Sequence, residues 1–264
     1  MTMTKIRTLT LLLGAALVAS CGDPANQVIA GPEASNAARI RFFNFGVSAP
    51  GVHFYANDQK LVAAAEVGFT QSPTTGVATG GTESVTGIAS GGAGNGGFYS
   101  SIPAGSYAFN ARIAAATDNG LKIASVTQAL EAGKKYSYYI SGVYDATAKT
   151  AEAFIVEDPY QDAYDWSSVY VRFVNAGPAA APQVLFVKNQ TSAVETTVNS
   201  AGTAYKGASA FVAVAPGTYD FRTTAVGGAT NTVTRTGVTF TAGKYYTVTL
   251  RGTTALTLDQ TANK

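Results

Sequence analysis

Side chains able to do covalent or proton-transfer chemistry are scarce, since the 264 residues hold one cysteine, Cys21, and one histidine, His53. A lone histidine supplies a single metal ligand at most, and no GxSxG elbow or HExxH pair accompanies it. In the alternation Val52-His53-Phe54-Tyr55 it faces away from Val52 and Phe54, so it is expected on the exposed face of a strand. Gly92, Gly94 and Gly97 match GxGxxG, but a phosphate cradle also needs a strand before the glycines and a helix after them. Neither is expected in so glycine-rich a tract. The least generic segment is 157–166, which gathers Glu157, Asp158, Asp162 and Asp165 with Tyr160, Tyr164 and Trp166. Paired carboxylates could do acid–base work or contribute to a calcium site, although calcium wants about six to eight oxygens. The aromatics could stack on a ligand, and Asp158 before Pro159 could cap a short helix that aligns Tyr160 with Tyr164. The plainer reading is a connector whose rings pack between two domains. Tyr160, Tyr164 and Trp166 are therefore the candidate ligand-binding residues; no catalytic residue, metal ligand or cofactor is assigned.

What positions Cys21 is the segment before it. Lys5 and Arg7 precede an apolar run from Leu9 to Val18, broken only by Thr10 and Gly14, the pattern of a signal peptide over residues 1–20. A membrane span needs about 20 apolar residues, and this run is too short. Val18-Ala19-Ser20-Cys21 resembles the lipobox of bacterial lipoproteins, in which small residues admit the peptidase and the cysteine takes the lipid. The resemblance implies lipidation of Cys21, a palmitate-type membrane anchor, and it explains a solitary cysteine in an exported chain. Gly22 stands where an aspartate would resemble an inner-membrane retention signal, which points to the outer membrane in a Gram-negative host; Asp23, one step later, points the other way.

The whole chain carries 18 Lys+Arg against 16 Asp+Glu, and Lys5 and Arg7 leave with the signal peptide. The remainder is neutral. Without a basic excess to neutralise phosphates, nucleic acid is not an expected partner. With 28 Gly, 14 Tyr, 13 Phe and 9 Pro, the composition is that of a turn-rich β protein.

Gly22 to Ala37, small, polar and containing Pro24 and Pro32, reads as a tether after Cys21, reaching about 50–55 Å at full extension. Beyond it the chain repeats itself. Arg41-Phe-Phe-Asn44 recurs as Arg172-Phe-Val-Asn175, the turn before Tyr107 recurs before Tyr219, and AGKKY at 132–136 recurs as AGKYY at 242–246. The first copy is longer by about twenty residues, assigned to the Gly-, Ser- and Thr-rich tract 68–97, which reads as a long loop. Asp118-Asn119-Gly120 and Gly227-Gly228 mark hairpin turns. Alternation at Val52, Phe54, Ala56 and at 245–250 marks strands, so each copy reads as about seven strands in a β-sandwich. Arg41 and Arg172 are expected to serve the repeat architecture, and Asn44 and Asn175 to close turns through their amides.

These ordered motifs resemble the bacterial family called domain of unknown function 4397, over residues 38–157 and again over 168–256. The resemblance implies tandem immunoglobulin-like or transthyretin-like envelope modules. The expected organisation is a signal peptide (1–20), a lipidated tether (21–37), a first sandwich (38–157), a linker (158–167) and a second sandwich (168–258). The expected function is a non-enzymatic cell-envelope lipoprotein, attached to membrane through Cys21, that binds an envelope protein or glycan. The alternative is a carboxylate-dependent hydrolase acting on envelope glycan or peptide.

Overall fold

A computed structural model describes residues 37–62, 70–71, 78–79, 86–160, 165–178 and 181–263. Cys21, the tether, Asp162, Tyr164 and much of the glycine-rich tract lie outside the described residues. The first half contains β1 (Ala37–Asn44), β2 (Val52–Ala56), β3 (Gln59–Val62), the short pair β4 (Thr70–Gln71) and β5 (Ala78–Thr79), and β6 (Gly92–Ala93). It continues with β7 (Ser100–Pro103), β8 (Gly105–Ile113), β9 (Lys122–Leu130), β10 (Lys135–Asp145) and β11 (Thr150–Glu157). The second half contains β12 (Val169–Asn175), β13 (Gln183–Asn189), β14 (Glu195–Thr197), β15 (Gly207–Ala208) and β16 (Val212–Val214). It ends with β17 (Gly217–Ala225), β18 (Asn231–Phe240), β19 (Lys244–Arg251) and β20 (Thr257–Ala262).

The expected all-β fold of two sandwiches is what the chain forms. In the first, β11-β10-β1-β6, with β7 also on β1, faces β3-β2-β8-β9; in the second, β20-β19-β12-β15, with β16 also on β12, faces β14-β13-β17-β18. Apart from the short β4–β5 pair, the halves match strand for strand. Each opens with a strand that pairs in parallel with a late one, Arg41 opposite Ser137 and Arg172 opposite Thr247. The late partner closes a hairpin with the next strand, β10 with β11 and β19 with β20. β20 carries the second sandwich to Ala262, beyond the boundary expected at 258.

The repeated motifs have local physical reasons. In AGKxY, Gly133 and Gly243 turn with positive φ, and the hydroxyls of Tyr136 and Tyr246 each accept a backbone N–H, from Glu131 and Thr241, at 3.1 Å. Tyr107 and Tyr219 donate back to the carbonyls of Pro103 and Ala215, four residues earlier, which fixes the turn into β8 and β17. Asp118 and Gly120 adopt positive φ between β8 and β9, as the hairpin requires. Asn44 donates to the carbonyls of Pro50 and Ile88, while Asn175 donates to that of Thr203 and accepts from Gly177 N–H, so each amide ties the turn after its strand to a segment far along the chain.

Each sandwich has its own core. Phe42, Phe54, Phe109 and Tyr138 centre the first, and Phe173, Phe221, Phe240 and Val248 the second. The opposite faces of β1, β10 and β12 are also buried, which is why RFFN and RFVN lack polar alternation. Phe43, Phe45, Tyr139 and Phe154 of the first half form a third cluster with Val174 and Ala176 of the second. The sandwiches thus stack sheet on sheet, within one unit spanning Asn36–Lys264. Equivalent elements cross over: the turn before β15 meets β10 and β11 through Tyr205–Ser141 and Lys206–Glu152, while Gly91, in the turn before β6, lies against the Arg251 guanidinium at the end of β19. This reciprocity is a pseudo-twofold relation.

Two expectations require correction. His53 is 7% exposed, not on an open face. Alternation does aim it away from Phe54, but β2 is an inner strand between β3 and β8, with Arg112 directly opposite, and neighbouring side chains cover it. The tract 68–97 is not all loop. Ile88 is a core residue that bridges Val52, and Gly92–Ala93 pairs with β1 as Gly207–Ala208 pairs with β12. Twenty-five residues (63–87) separate Val62 from Ile88, whereas five (198–202) separate the equivalent Thr197 and Thr203, so the extra length falls there.

Candidate functional site

The outward face of β1 carries Arg41 beside Phe43, and the equivalent face of β12 carries Arg172. Stacking the sheets brings both arginines inside, each 0% exposed. Their Nε groups are held alike: Arg41 donates to Ser137 Oγ at 2.8 Å and Arg172 to Thr247 Oγ1 at 3.0 Å. Burying a guanidinium is costly unless it is paired.

The partner is Asp158, just past β11. Its Oδ1 accepts from Arg172 Nη2, while its Oδ2 accepts from Ser137 Oγ at 2.7 Å and from the Tyr99 hydroxyl, and lies 3.6 Å from Arg41 Nε. Arg172 Nη1 also donates to the Glu157 carbonyl at 2.8 Å. The Tyr99 proton goes to Asp158, so the adjacent Tyr160 hydroxyl must donate to Tyr99. Burial opposes ionisation of Asp158, but Arg172, Arg41 and the hydrogen bonds from Tyr99 and Ser137 outweigh it and hold the carboxyl below its ordinary value. Burial, and then the Asp158 charge, push the Tyr160 phenol up to about 12, so it stays protonated at neutral pH.

The second half has a different residue at the matching place. Asp158 N–H donates to the Lys135 carbonyl and Asn263 N–H to that of Tyr245, both at 2.7 Å, which makes the two positions equivalent. Asn263 donates its Nδ2 to Thr247 Oγ1 at 2.7 Å, and its buried Oδ1 has no hydrogen-bond partner. Nη1 and Nη2 of Arg41 are also buried without hydrogen-bond partners, and the guanidinium packs 4.9 Å from the ring centre of Tyr99 and 5.2 Å from that of Phe43. Two guanidiniums thus share one carboxylate, leaving the centre with one positive charge in excess.

Beside this centre a groove of about 630 Å³ opens between the halves. One wall is Phe43, Phe45, Ala93, Phe98 and Tyr99; the other is Arg235, Lys244, Asp259, Thr261 and Asn263. Phe98 is 74% exposed, Arg235 is anchored on the Leu258 carbonyl, and Asp259 is ion-paired with Arg251.

The residues singled out in segment 157–166 scatter. Among the described residues Asp158 caps no helix, and it is buried in the ion pair. Glu157 pairs with Lys134, and Asp165 accepts from Ser167 and Ser168. Tyr160 packs against Phe211, Tyr245 and Tyr99 between the halves, as the connector reading expects, whereas Trp166 is 73% exposed beside Gly243. Neither lines the groove. Phe98 and Tyr99 were signalled only by an aromatic pair closing the glycine tract, Arg235 and Lys244 by nothing beyond ordinary strand cations, and Asn263 by nothing in the repeat.

Solved structures to which the chain is similar include the following. The Bacillus anthracis TIE protein is 11% identical with TM-score 0.24, covering 83% of this chain, which spans about a third (34%) of that one. The CBM26 module CBMbc of Eubacterium rectale Amy13K, solved with maltoheptaose, is 11% identical with TM-score 0.21, covering 86% of this chain and 98% of that one. A leucine-rich repeat protein of Bacteroides thetaiotaomicron is 12% identical with TM-score 0.18, covering 83% and 26%. No curated protein matches the chain. The sequence profile described as "Domain of unknown function (DUF4397)" matches residues 38–187, from the β1 motif through the first sandwich and its buried Asp158 into β13. With more than half of its length matched, beginning at the strand that carries Arg41, this chain belongs to the DUF4397 family.

Proposed function

We propose that the chain is an exported lipoprotein, held to a membrane by lipid on Cys21, in which two copies of the family domain act as one non-enzymatic binding body for an envelope protein or glycan. The observation that carries this reading is the groove between the halves, with an exposed aromatic at its mouth and cations on its far wall. Concave sites walled by apolar rings with a few polar groups are where ligands bind, and they favour domain interfaces. The rigid seam beneath it, ionic and aromatic, keeps the walls at fixed separation. The candidate rings Tyr160 and Trp166 then act as seam filler and flank respectively.

The test is affinity capture of components from the native envelope with wild-type protein, with Phe98→Asp and with Trp166→Ala. Capture lost in the Phe98 variant alone supports the groove. Capture lost in the Trp166 variant alone returns the site to the connector, and turnover of a captured component would end the non-enzymatic reading.

A further inference from the structure

Resting on the reading of the groove as the ligand site, we infer that its ligand carries a carboxylate on an apolar body. The argument begins with charge. Asp158 gives Arg172 a carboxylate, but the equivalent position in the second sandwich holds Asn263, a neutral amide, so Arg41 gains no second carboxylate there. Arg41 keeps two buried N–H-bearing nitrogens without hydrogen-bond partners, Asn263 keeps a buried oxygen without one, and the centre retains a positive charge. Charge in a low-dielectric interior acts over several ångströms.

That excess lies directly behind the groove wall. Phe43 and Tyr99, whose rings flank the Arg41 guanidinium, both line the groove, as does Asn263. Lys244, exposed on the same wall, adds a cation in direct reach of a ligand, whereas Asp259 is taken up by Arg251. The end of the groove at Lys244 and Asn263 is therefore electropositive. The outer part is apolar, formed by Phe45, Ala93 and the exposed ring of Phe98. A carboxylate sits at the Lys244 and Asn263 end, its charge answered by Lys244 and by the Arg41 centre beneath, and the apolar body lies along the rings. A phosphate or sulfate alone would leave the rings uncovered, and a neutral amphiphile would leave the charge unanswered.

The experiment measures binding of hexanoate and of its neutral isostere hexanamide to the purified domains by calorimetry, for wild type, Lys244→Gln and Asn263→Asp. Hexanoate should bind wild type about tenfold or more tightly than hexanamide, as charge-assisted contacts do. Lys244→Gln should narrow that ratio severalfold. Asn263→Asp, which places a second carboxylate at the position equivalent to Asp158 and neutralises the excess charge of the centre, should abolish the preference while raising the melting temperature. Equal binding of the two probes, no binding of hexanoate to wild type, or an unchanged preference in Asn263→Asp each overturns the inference. If hexanoate fails while Phe98→Asp still abolishes capture of an envelope component, the groove stands and only the carboxylate is wrong.

Discussion

Replacing Asp158 by asparagine removes a negative charge while keeping the side chain's shape, and it removes it where water cannot compensate. Asp158, Arg41 and Arg172 have side chains 0% exposed. In the native centre one carboxylate answers two guanidiniums; in the variant none does, and Arg172 Nη2 faces a neutral amide. Breaking a buried pair by removing one partner costs about 3–5 kcal/mol, because the remaining charge is left uncompensated. For a domain of this size each kcal/mol lowers the melting temperature by about 2–4 °C, so the expected drop is roughly 6–20 °C. The comparison variant is Asp118→Asn, which loses the pair with Lys149, 43% and 34% exposed; such surface pairs are worth about 0–1 kcal/mol. Urea unfolding of the two variants beside wild type, with the slope checked for constancy, separates them. A cost for Asp158→Asn no greater than that for Asp118→Asn would mean that the centre is solvated or rearranges freely, and the burial argument would fail.

The same carboxyl sets the acid limit. Its folded pKa is depressed, so its contribution is complete above the ordinary value of 3.8 and is lost as pH falls below it; melting temperature should hold from neutral to about pH 5 and drop below about pH 4, and less so in Asp158→Asn. Phe43→Ala empties the seam between the sandwiches and should cost about 3–5 kcal/mol, splitting one calorimetric transition into two. Gly51→Ala should cost about 3 kcal/mol or more, since its Cβ would lie 1.6 Å from the Thr86 carbonyl oxygen and neither backbone can yield; a variant as stable as wild type would refute that approach. Cys21→Ala should release the protein from the membrane fraction and abolish fatty-acid labelling, and a variant still pelleting with membranes would remove the anchor.

What could be read from sequence was what local rules decide. Period-two alternation, positive-φ turn residues and the repeated AGKxY segment specify strands and hairpins, because their hydrogen bonds close within a few residues. The amides of Asn44 and Asn175 were legible only in their local bonds, to Pro50 and from Gly177; their bonds to Ile88 and Thr203 span 44 and 28 residues. The seam was not. Arg41 meets Ser137 across 96 residues, and Asp158 meets Arg172 only because two sheets stack, which no spacing encodes. Asp158 therefore looked like one of four linker carboxylates. His53 was aimed correctly by alternation, but whether a face is open depends on its neighbours. A sign of the seam did exist in Phe42-Phe43 and Tyr138-Tyr139, where adjacent rings on opposite faces demand two apolar environments.

The placing of β1 has a mechanical consequence. Force transmitted through the residues before Ala37 enters the fold along this strand. β1 is not at an edge: it lies between β10, in parallel register from Arg39–Lys135 to Asn44–Ile140, and β6 and β7 on its other side. Tension along its axis therefore loads a row of hydrogen bonds together, in shear, instead of peeling them one after another. With Arg41 clamped in the seam between the sandwiches, drawing β1 out also means dragging a paired charge through an apolar stack. A body held through the residues before β1 and pulled at its groove would yield in its loops before it yielded along that strand.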